Sequence, residues 1–162
     1  MILIDTSVYI ATIDDSELEG LLEELSQKAF IQSCDVVEEE IHDSSEFLRK
    51  TGRRERAERL RLIYAKIIEG TIGKTERIFN LAQEYQKEAG LSRRQQKDIE
   101  NDFLIVASAA VAGVKTVLSF NRKTMCSYNM VKVYDSVNGR NRYKTPKFLT
   151  RREDLSQLLK LP

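Results

Sequence analysis

Four polar residues of this chain stand where chemistry could be done. Met1 to Ile4 is a short apolar run closed by Asp5, and it reads as a buried parallel strand with the acid at its carboxyl end. Lys115 to Phe120 reads as another strand, with Val117 and Leu118 as its apolar core and Asn121 next in the chain. Ligands of open parallel sheets bind beyond the carboxyl ends of the strands, which is where Asp5 and Asn121 fall. Asp102 directly precedes Phe103–Val111, a stretch apolar except for Ser108, and Glu40 flanks the inward face that Val37 and Ile41 define. A carboxylate left unpaired so close to a core is costly. A cation shared by Asp5, Glu40 and Asp102 would account for all three. Any one of them could equally cap a helix or pair with a base; the combination points to the cation.

Competing chemistries find less support. His42 is the only histidine, so a multi-histidine zinc site is impossible. Cys34 and Cys126 are isolated, lack a C-x-x-C spacing, and read as reduced packing residues of a cytoplasmic protein. Neither sits in a motif that would pair it with His42 as a nucleophile. There is no G-x-x-x-x-G-K-[ST] or G-x-G-x-x-G phosphate loop. A phosphatase of the haloacid-dehalogenase type would want a second Asp two residues after Asp5, where Ser7 stands.

The elements that must position these residues alternate in type. Asp14, Asp15 and Ser16 cap a helix carrying Leu18, Leu21, Leu22 and Leu25 at helical spacing. Phe30–Ser33 reads as a second strand, and Ser33 or Asp35 caps a helix with Val36, Val37 and Ile41 inward. A long amphipathic helix is predicted from about Phe47 to Glu69, with Ala57, Leu60, Ile63, Tyr64, Ile67 and Ile68 on one face and Gly52 interrupting its start. Residues 70–73 read as a loop with a brief extended piece. Thr75–Glu88 is a helix with Ile78, Phe79, Ala82 and Tyr85 as its stripe, closed by Gly90. Ser92 opens the helix through Ala112, whose second half is the central buried one, and Gly113 ends it. Residues 121–137 read as a short helical pair, 139–144 as a basic loop, Phe148–Leu149 as an edge strand and Asp154–Leu159 as a last helix. Strands alternating with helices predict a three-layer α/β/α sandwich around a central parallel sheet of four to five strands. With no repeat, low-complexity tract or linker, residues 1–162 read as one domain.

Composition bounds the class of protein. A chain of 162 residues, 41% hydrophobic and 31% charged, can bury a proper core without staples. No apolar run approaches the length of a membrane span, and no basic segment precedes the apolar start, so neither a membrane partner nor a signal peptide is expected. The net charge of +1 conceals a partition. Residues 14–24 and 35–46 each hold six acids and no Lys or Arg, whereas residues 49–61 hold seven bases and residues 140–152 hold six. Such asymmetry suits an anionic partner meeting basic faces beside an acidic, cation-attracting region. A solvated helix face would look the same.

Four segments, in order, resemble the PIN-domain family. Asp5-Thr6-Ser7-Val8-Tyr9-Ile10 is similar to the family's D-[TS]-[NS]-hydrophobic opening. Val36 to Ile41 is similar to its second element, in which an acid directly precedes Leu or Ile. Asp102 to Ala109 matches the third, D-x-x-I-x-A-x-A, and Ser119-Phe120-Asn121-Arg122-Lys123-Thr124-Met125 resembles the fourth. The tail Thr145-Pro146-Lys147-Phe148 is similar to archaeal stand-alone members. One departure is Asn121, standing where many members carry an acid; its carbonyl can ligate a hard cation but adds no charge.

The resemblance implies a ribonuclease, toxin-like or RNA-processing, with Asp5, Glu40, Asp102 and Asn121 at its centre and the three acids holding metal. It favours Glu40 over Glu39, because Ile41 follows. Thr6, Ser119 and Asp98 would support the ligands, Asp98 lying one helical turn before Asp102. Three carboxylates within a few ångströms repel by about 4 kcal/mol per pair at 4 Å and an effective dielectric near 20, which a divalent ion offsets. Oxygen-only ligands select Mg²⁺ or Mn²⁺. Arg53, Arg56 and Arg59 are candidates for RNA phosphate contact. RNA, a homodimer mate and an antitoxin-type protein are the partners the resemblance implies. A catalytically weak scaffold binding RNA or a protein is the alternative that Asn121 leaves open.

Overall fold

A computed structural model describes residues 1–160, the side chain of Asp98 excepted. Five short strands, β1 (Ile2–Ile4), β2 (Ile31–Cys34), β3 (Gly70–Ile72), β4 (Thr116–Leu118) and β5 (Lys147–Leu149), form one sheet in the order β3-β2-β1-β4-β5. Every neighbouring pair is parallel. From β1 the chain builds outward to β2 and β3, then returns to place β4 on the other side of β1. The order therefore reverses between β1 and β4, and a crevice opens at their carboxyl ends. That is the fold's contribution to function.

Eight helices cover the sheet among the described residues: α1 (Thr6–Thr12), α2 (Ser16–Lys28), α3 (Asp35–Lys50), α4 (Arg54–Ile67), α5 (Glu76–Ala89), α6 (Arg93–Val111), α7 (Tyr128–Arg140) and α8 (Arg152–Leu159). They pack as two groups, α1, α2, α4 and α8 together and α5, α6 and α7 together, with α3 packed chiefly on α4 and also touching α6, which gives the predicted three layers. The central strands β1 and β4 are covered on both faces and are apolar almost throughout, while the edge strands β3 and β5 are more exposed. Phe103, Tyr85 and Tyr134 meet edge to face beneath the crevice, with Tyr85 and Tyr134 ring centroids 4.9 Å apart.

Local signals set most of the boundaries. Asp15 caps α2 by accepting from the Leu18 amide, and Thr75 caps α5 the same way from Ile78. Ser92 and Gln95 form a reciprocal capping box at the head of α6. Gly90 and Gly113 close α5 and α6 with positive φ, as predicted.

Four expectations are corrected. The helix predicted over Phe47–Glu69 is two helices, since Gly52 turns at φ +79° and the Thr51 hydroxyl bonds back to the Phe47 and Leu48 carbonyls. The helical pair at 121–137 is instead a run of turns followed by the single helix α7, which Ser127 caps and which continues through Arg140. Phe79 lies outside the α5 stripe and is 44% exposed, while Leu81 takes the inward position with Ile78, Ala82 and Tyr85. Residues 6–12, for which the sequence suggested no element, form α1 directly after Asp5. No helix among the described residues is long and apolar enough to cross a membrane.

Candidate active site

Asp5 and Asn121 sit beyond the ends of β1 and β4, as the sequence predicted, and the two strand ends are tied by a compact set of bonds. The Asp5 amide donates to the Leu118 carbonyl at 2.9 Å. Ser119 donates its hydroxyl to Asp5 Oδ2 at 2.8 Å and accepts the Asn121 amide at 3.1 Å. Ser7, the second residue of α1, also donates to Asp5 Oδ2 and accepts the Phe120 amide at 3.1 Å. Asp5 is the N-cap residue of α1, yet its carboxylate makes no capping bond. Both serines hold Oδ2, while Oδ1 has no hydrogen-bond partner among the described residues.

Glu40 reaches the crevice from α3. Thr6 donates to its Oε2 at 2.6 Å and Asn101 to its Oε1 at 2.8 Å, so α1 and α6 both fix this side chain. Its neighbour Glu39 is exposed and bound to Lys74 at 2.6 and 2.7 Å. One residue of helix rotation, about 100°, separates the acid turned to the crevice from the acid neutralised on the surface.

Asp102 stands on α6, where the polar first half of the helix gives way to the buried second half. Thr124 donates to its Oδ2 at 2.6 Å, and the Asn121 amide nitrogen reaches both carboxylate oxygens at 3.2 and 3.0 Å. The Asn121 carbonyl in turn accepts from Thr124, at 2.8 Å from the hydroxyl and 3.2 Å from the amide. Burial pushes the Asp102 carboxyl up to about 6, and the charges of Asp5 and Glu40 add to the rise against the bonds from Thr124 and Asn121. The three acids thus feel one another. No Lys or Arg forms an ion pair with any of them among the described residues.

The acids do not converge as tightly as the sequence reading supposed. Among the described residues, no three His, Cys, Asp or Glu side chains come together as a group able to hold one ion. Each acid is instead tethered to its own neutral donors, Asp5 to the serines, Glu40 to Thr6 and Asn101, Asp102 to Asn121 and Thr124. Mutual repulsion favours that separation. In kind the donors fit a hard divalent cation, being oxygen-only and uncompensated in charge.

The supporting residues divide accordingly. Thr6 and Ser119 touch the acids, as expected, whereas Asp98 lies outside the described residues. Ser7, Asn101 and Thr124 went unnoticed in the sequence. Ser7 belongs to the quoted opening motif, Asn101 adjoins Asp102, and Thr124 follows Asn121 at the three-residue spacing of a local side-chain turn. Cys126 lies beside Ser119, but burial pushes its thiol up to about 12, and burial likewise raises Cys34 to about 11. Neither is a thiolate nucleophile near neutral pH.

The α4 arginines lie elsewhere. Arg56 pairs with Asp14 and Arg59 with Glu19, each at 2.6 Å, which fastens α4 to the α1–α2 turn and to the acidic α2. Arg53 has no ion pair among the described residues. With Arg56 it borders a groove of about 470 Å³ floored by Ile10, Ile13 and Leu48, beside the 62% exposed Phe47.

Comparison with known proteins agrees with this architecture. The family profile of the PIN domain matches residues 2–128. The crystal structure of VapBC2 from Rickettsia felis, bound to a DNA fragment from its promoter, superposes with a TM-score of 0.57 at 21% sequence identity, over 80% of this chain and 95% of that one. At that identity the likeness is one of fold. No curated protein matches the sequence.

Proposed function

This chain belongs to the PIN-domain family, and on that premise we propose that it is a metal-dependent ribonuclease that hydrolyses RNA phosphodiesters at the β1–β4 crevice. The carrying observation is electrostatic. Burial first, and then the charges of Asp5 and Glu40, push Asp102 up to about 6, and no protein cation is paired to any of the three among the described residues. A crevice of that kind attracts a divalent cation, and all-oxygen donors favour Mg²⁺ or Mn²⁺. Asp5, Glu40 and Asp102 would hold the ion, which when bound would supply an activated water and charge stabilisation at the phosphorus.

The chain's own residues do the positioning. Ser7 and Ser119 occupy Oδ2 of Asp5 and so leave Oδ1 without a hydrogen-bond partner among the described residues. Thr6 and Asn101 fix the Glu40 rotamer from two different helices. Thr124 and Asn121 orient Asp102, and Asn121 brings a dipole where a further acid would bring charge. Arg53, Arg56 and Arg59 are proposed RNA contacts, although Arg56 must exchange Asp14, and Arg59 Glu19, for a phosphate to serve. The α1–α3–α4 groove, apolar with Phe47 exposed beside it, offers an antitoxin-type protein or a second copy a surface to cover.

A second reading has its own observation. The Asn121 amide is turned to Asp102 and its carbonyl to Thr124, so Asn121 works as a brace, which suits a weakly cutting scaffold that binds RNA or a protein. Cleavage of an unstructured RNA pool by wild type and Asp5→Asn, across a Mg²⁺ and Mn²⁺ series, separates the two. Asp5-dependent cutting is expected from the wild type. Its absence under every metal condition would leave the scaffold reading.

A further inference from the structure

The opposite end of the sheet carries a second, oppositely charged site. β4 and β5 begin there, and a cleft of about 480 Å³ opens between the end of α6, the segment before β4 and the segment before β5. Lys115, Arg142 and Lys144 line it together with Tyr143, Thr145 and Val114. All three cations are exposed, and none forms an ion pair among the described residues. Arg140, two residues before Arg142, differs in being bound to Glu88. No acid lines the cleft. Lys115 comes from a part of the chain 27 residues before Arg142, so the fold, not a local charge run, gathers the group.

Arg142 is the informative member. It follows the C-cap residue Asn141 of α7, its amide donates to Gly139, and the Tyr143 amide donates to Asn138 at 2.9 Å. That is the Schellman turn, whose left-handed position glycine fills at least cost. Arg142 fills it at φ +60°, the one non-glycine residue with positive φ among the described residues. A side chain held in an unfavourable backbone conformation, and then given no protein partner, points to a requirement from outside the fold. Beside it the Thr145 hydroxyl is fixed by the buried Asn138, which Tyr85 in turn holds at 2.6 Å. The cleft wall is therefore anchored in the core.

We infer that Lys115, Arg142 and Lys144 form a phosphate-binding site for a nucleotide unit, with the half-buried Tyr143 ring as a surface for the base. Three unpaired cations around one cleft repel one another, and a phosphate relieves that repulsion. Arginine and lysine are the donors that phosphates select, and an aromatic face accepts any base by stacking. The site lies about 20 Å from Asn121, one strand length away, taking about 3.3 Å for each residue of β4 and its flanks. It would hold a strand, or a free nucleotide, at a distance from the crevice. The choice of a nucleotide rests on the ribonuclease reading; the anion site does not.

The test is fluorescence anisotropy of a short unstructured RNA on the full chain in EDTA, where metal-dependent cleavage cannot interfere. Lys115→Glu/Lys144→Glu should weaken binding at least tenfold at 100 mM salt. It should also flatten the log–log salt slope by about 1.4, at about 0.7 for each phosphate contact to a single strand. Arg142→Gly should bind RNA more weakly while melting no lower than wild type, because glycine suits the left-handed turn, so lost binding cannot be blamed on lost fold. Arg77→Glu/Lys87→Glu, the same change of charge on exposed positions of α5, should do markedly less. Displacement of RNA by millimolar AMP or inorganic phosphate would assign the site to a free ligand, and resistance to both would assign it to the strand; either supports the cleft. Unchanged affinity and slope in both cleft variants, or an equal loss in the control, would overturn it. A chain that binds through the cleft but never cuts would refute the nuclease reading and leave this one standing.

Discussion

Asp102→Asn should stabilise the metal-free protein near neutral pH, and the gain should depend on pH in a fixed direction. In the fold this carboxyl titrates at about 6, raised by burial and then by Asp5 and Glu40, against 3.8 ordinarily. A group whose folded value is raised contributes its full stability below the unfolded value and loses it as pH rises through the folded one. The wild type should therefore lose stability between about pH 4 and 7, by roughly 3 kcal/mol for a shift of about two units at 1.36 kcal/mol each. Asparagine carries no charge to bury, but it weakens the bonds from Thr124 and Asn121, a loss of roughly 1–2 kcal/mol. The net gain at pH 7.5 is about 1.5 kcal/mol, or roughly 3–6 °C in Tm for a chain of this size. Near pH 4 the order should reverse, with the wild type the more stable. Thermal melts of both proteins in EDTA from pH 4 to 8 measure the difference directly. Saturating Mn²⁺ adds about 2.7 kcal/mol to the wild type at a hundredfold excess over Kd, which should reverse the neutral-pH order and leave the wild type ahead by about 1.2 kcal/mol. A difference that stays flat between pH 4 and 7, or a variant less stable than wild type at pH 7.5, would refute the charge conflict on which the metal site is argued.

Other substitutions probe the same reasoning from different sides. Asn121→Asp adds a fourth acid beside Asp102, so it should lower Tm in EDTA, tighten Mn²⁺ in calorimetric titration and raise cleavage at low Mg²⁺; an unchanged metal affinity would place residue 121 outside the metal's reach. Reversing Arg53, Arg56 and Arg59 to Glu should weaken RNA binding alike for every sequence and flatten its salt dependence. The same variant should melt lower, since the two surface ion pairs to Asp14 and Glu19 are worth up to about 1 kcal/mol each and become repulsive on reversal; an unchanged salt slope would confine Arg56 and Arg59 to holding those acids. Gly52→Ala should cost about 1–2 kcal/mol, read by urea denaturation, because alanine resists the left-handed turn between α3 and α4. If Gly52→Ala were neutral, the break between those helices would owe nothing to Gly52.

What the sequence determined by itself was whatever a few neighbouring residues encode. The apolar run ending at Asp5 made β1 legible, Asp15, Thr75 and Ser92 announced the starts of α2, α5 and α6, and Gly90 and Gly113 their ends. These are caps and periodicities spanning one or two turns, set by the backbone's own hydrogen-bond needs. The parallel order followed from the alternation of elements, and with it the crevice at Asp5 and Asn121. The sequence favoured Glu40 over Glu39 through the adjacent Ile41, but only the tertiary structure showed what holds each: Lys74 arrives from beyond β3 to neutralise Glu39, and Thr6 and Asn101 come from two other helices to hold Glu40. It also showed Asn121 bracing Asp102, tied Arg56 to Asp14 and Arg59 to Glu19, and gathered Lys115 with Arg142 and Lys144. Each of these depends on side chains far apart in the chain being brought together by packing. Hydrogen bonds and ion pairs of that kind have no period along the sequence; they exist only once the elements that carry them have docked.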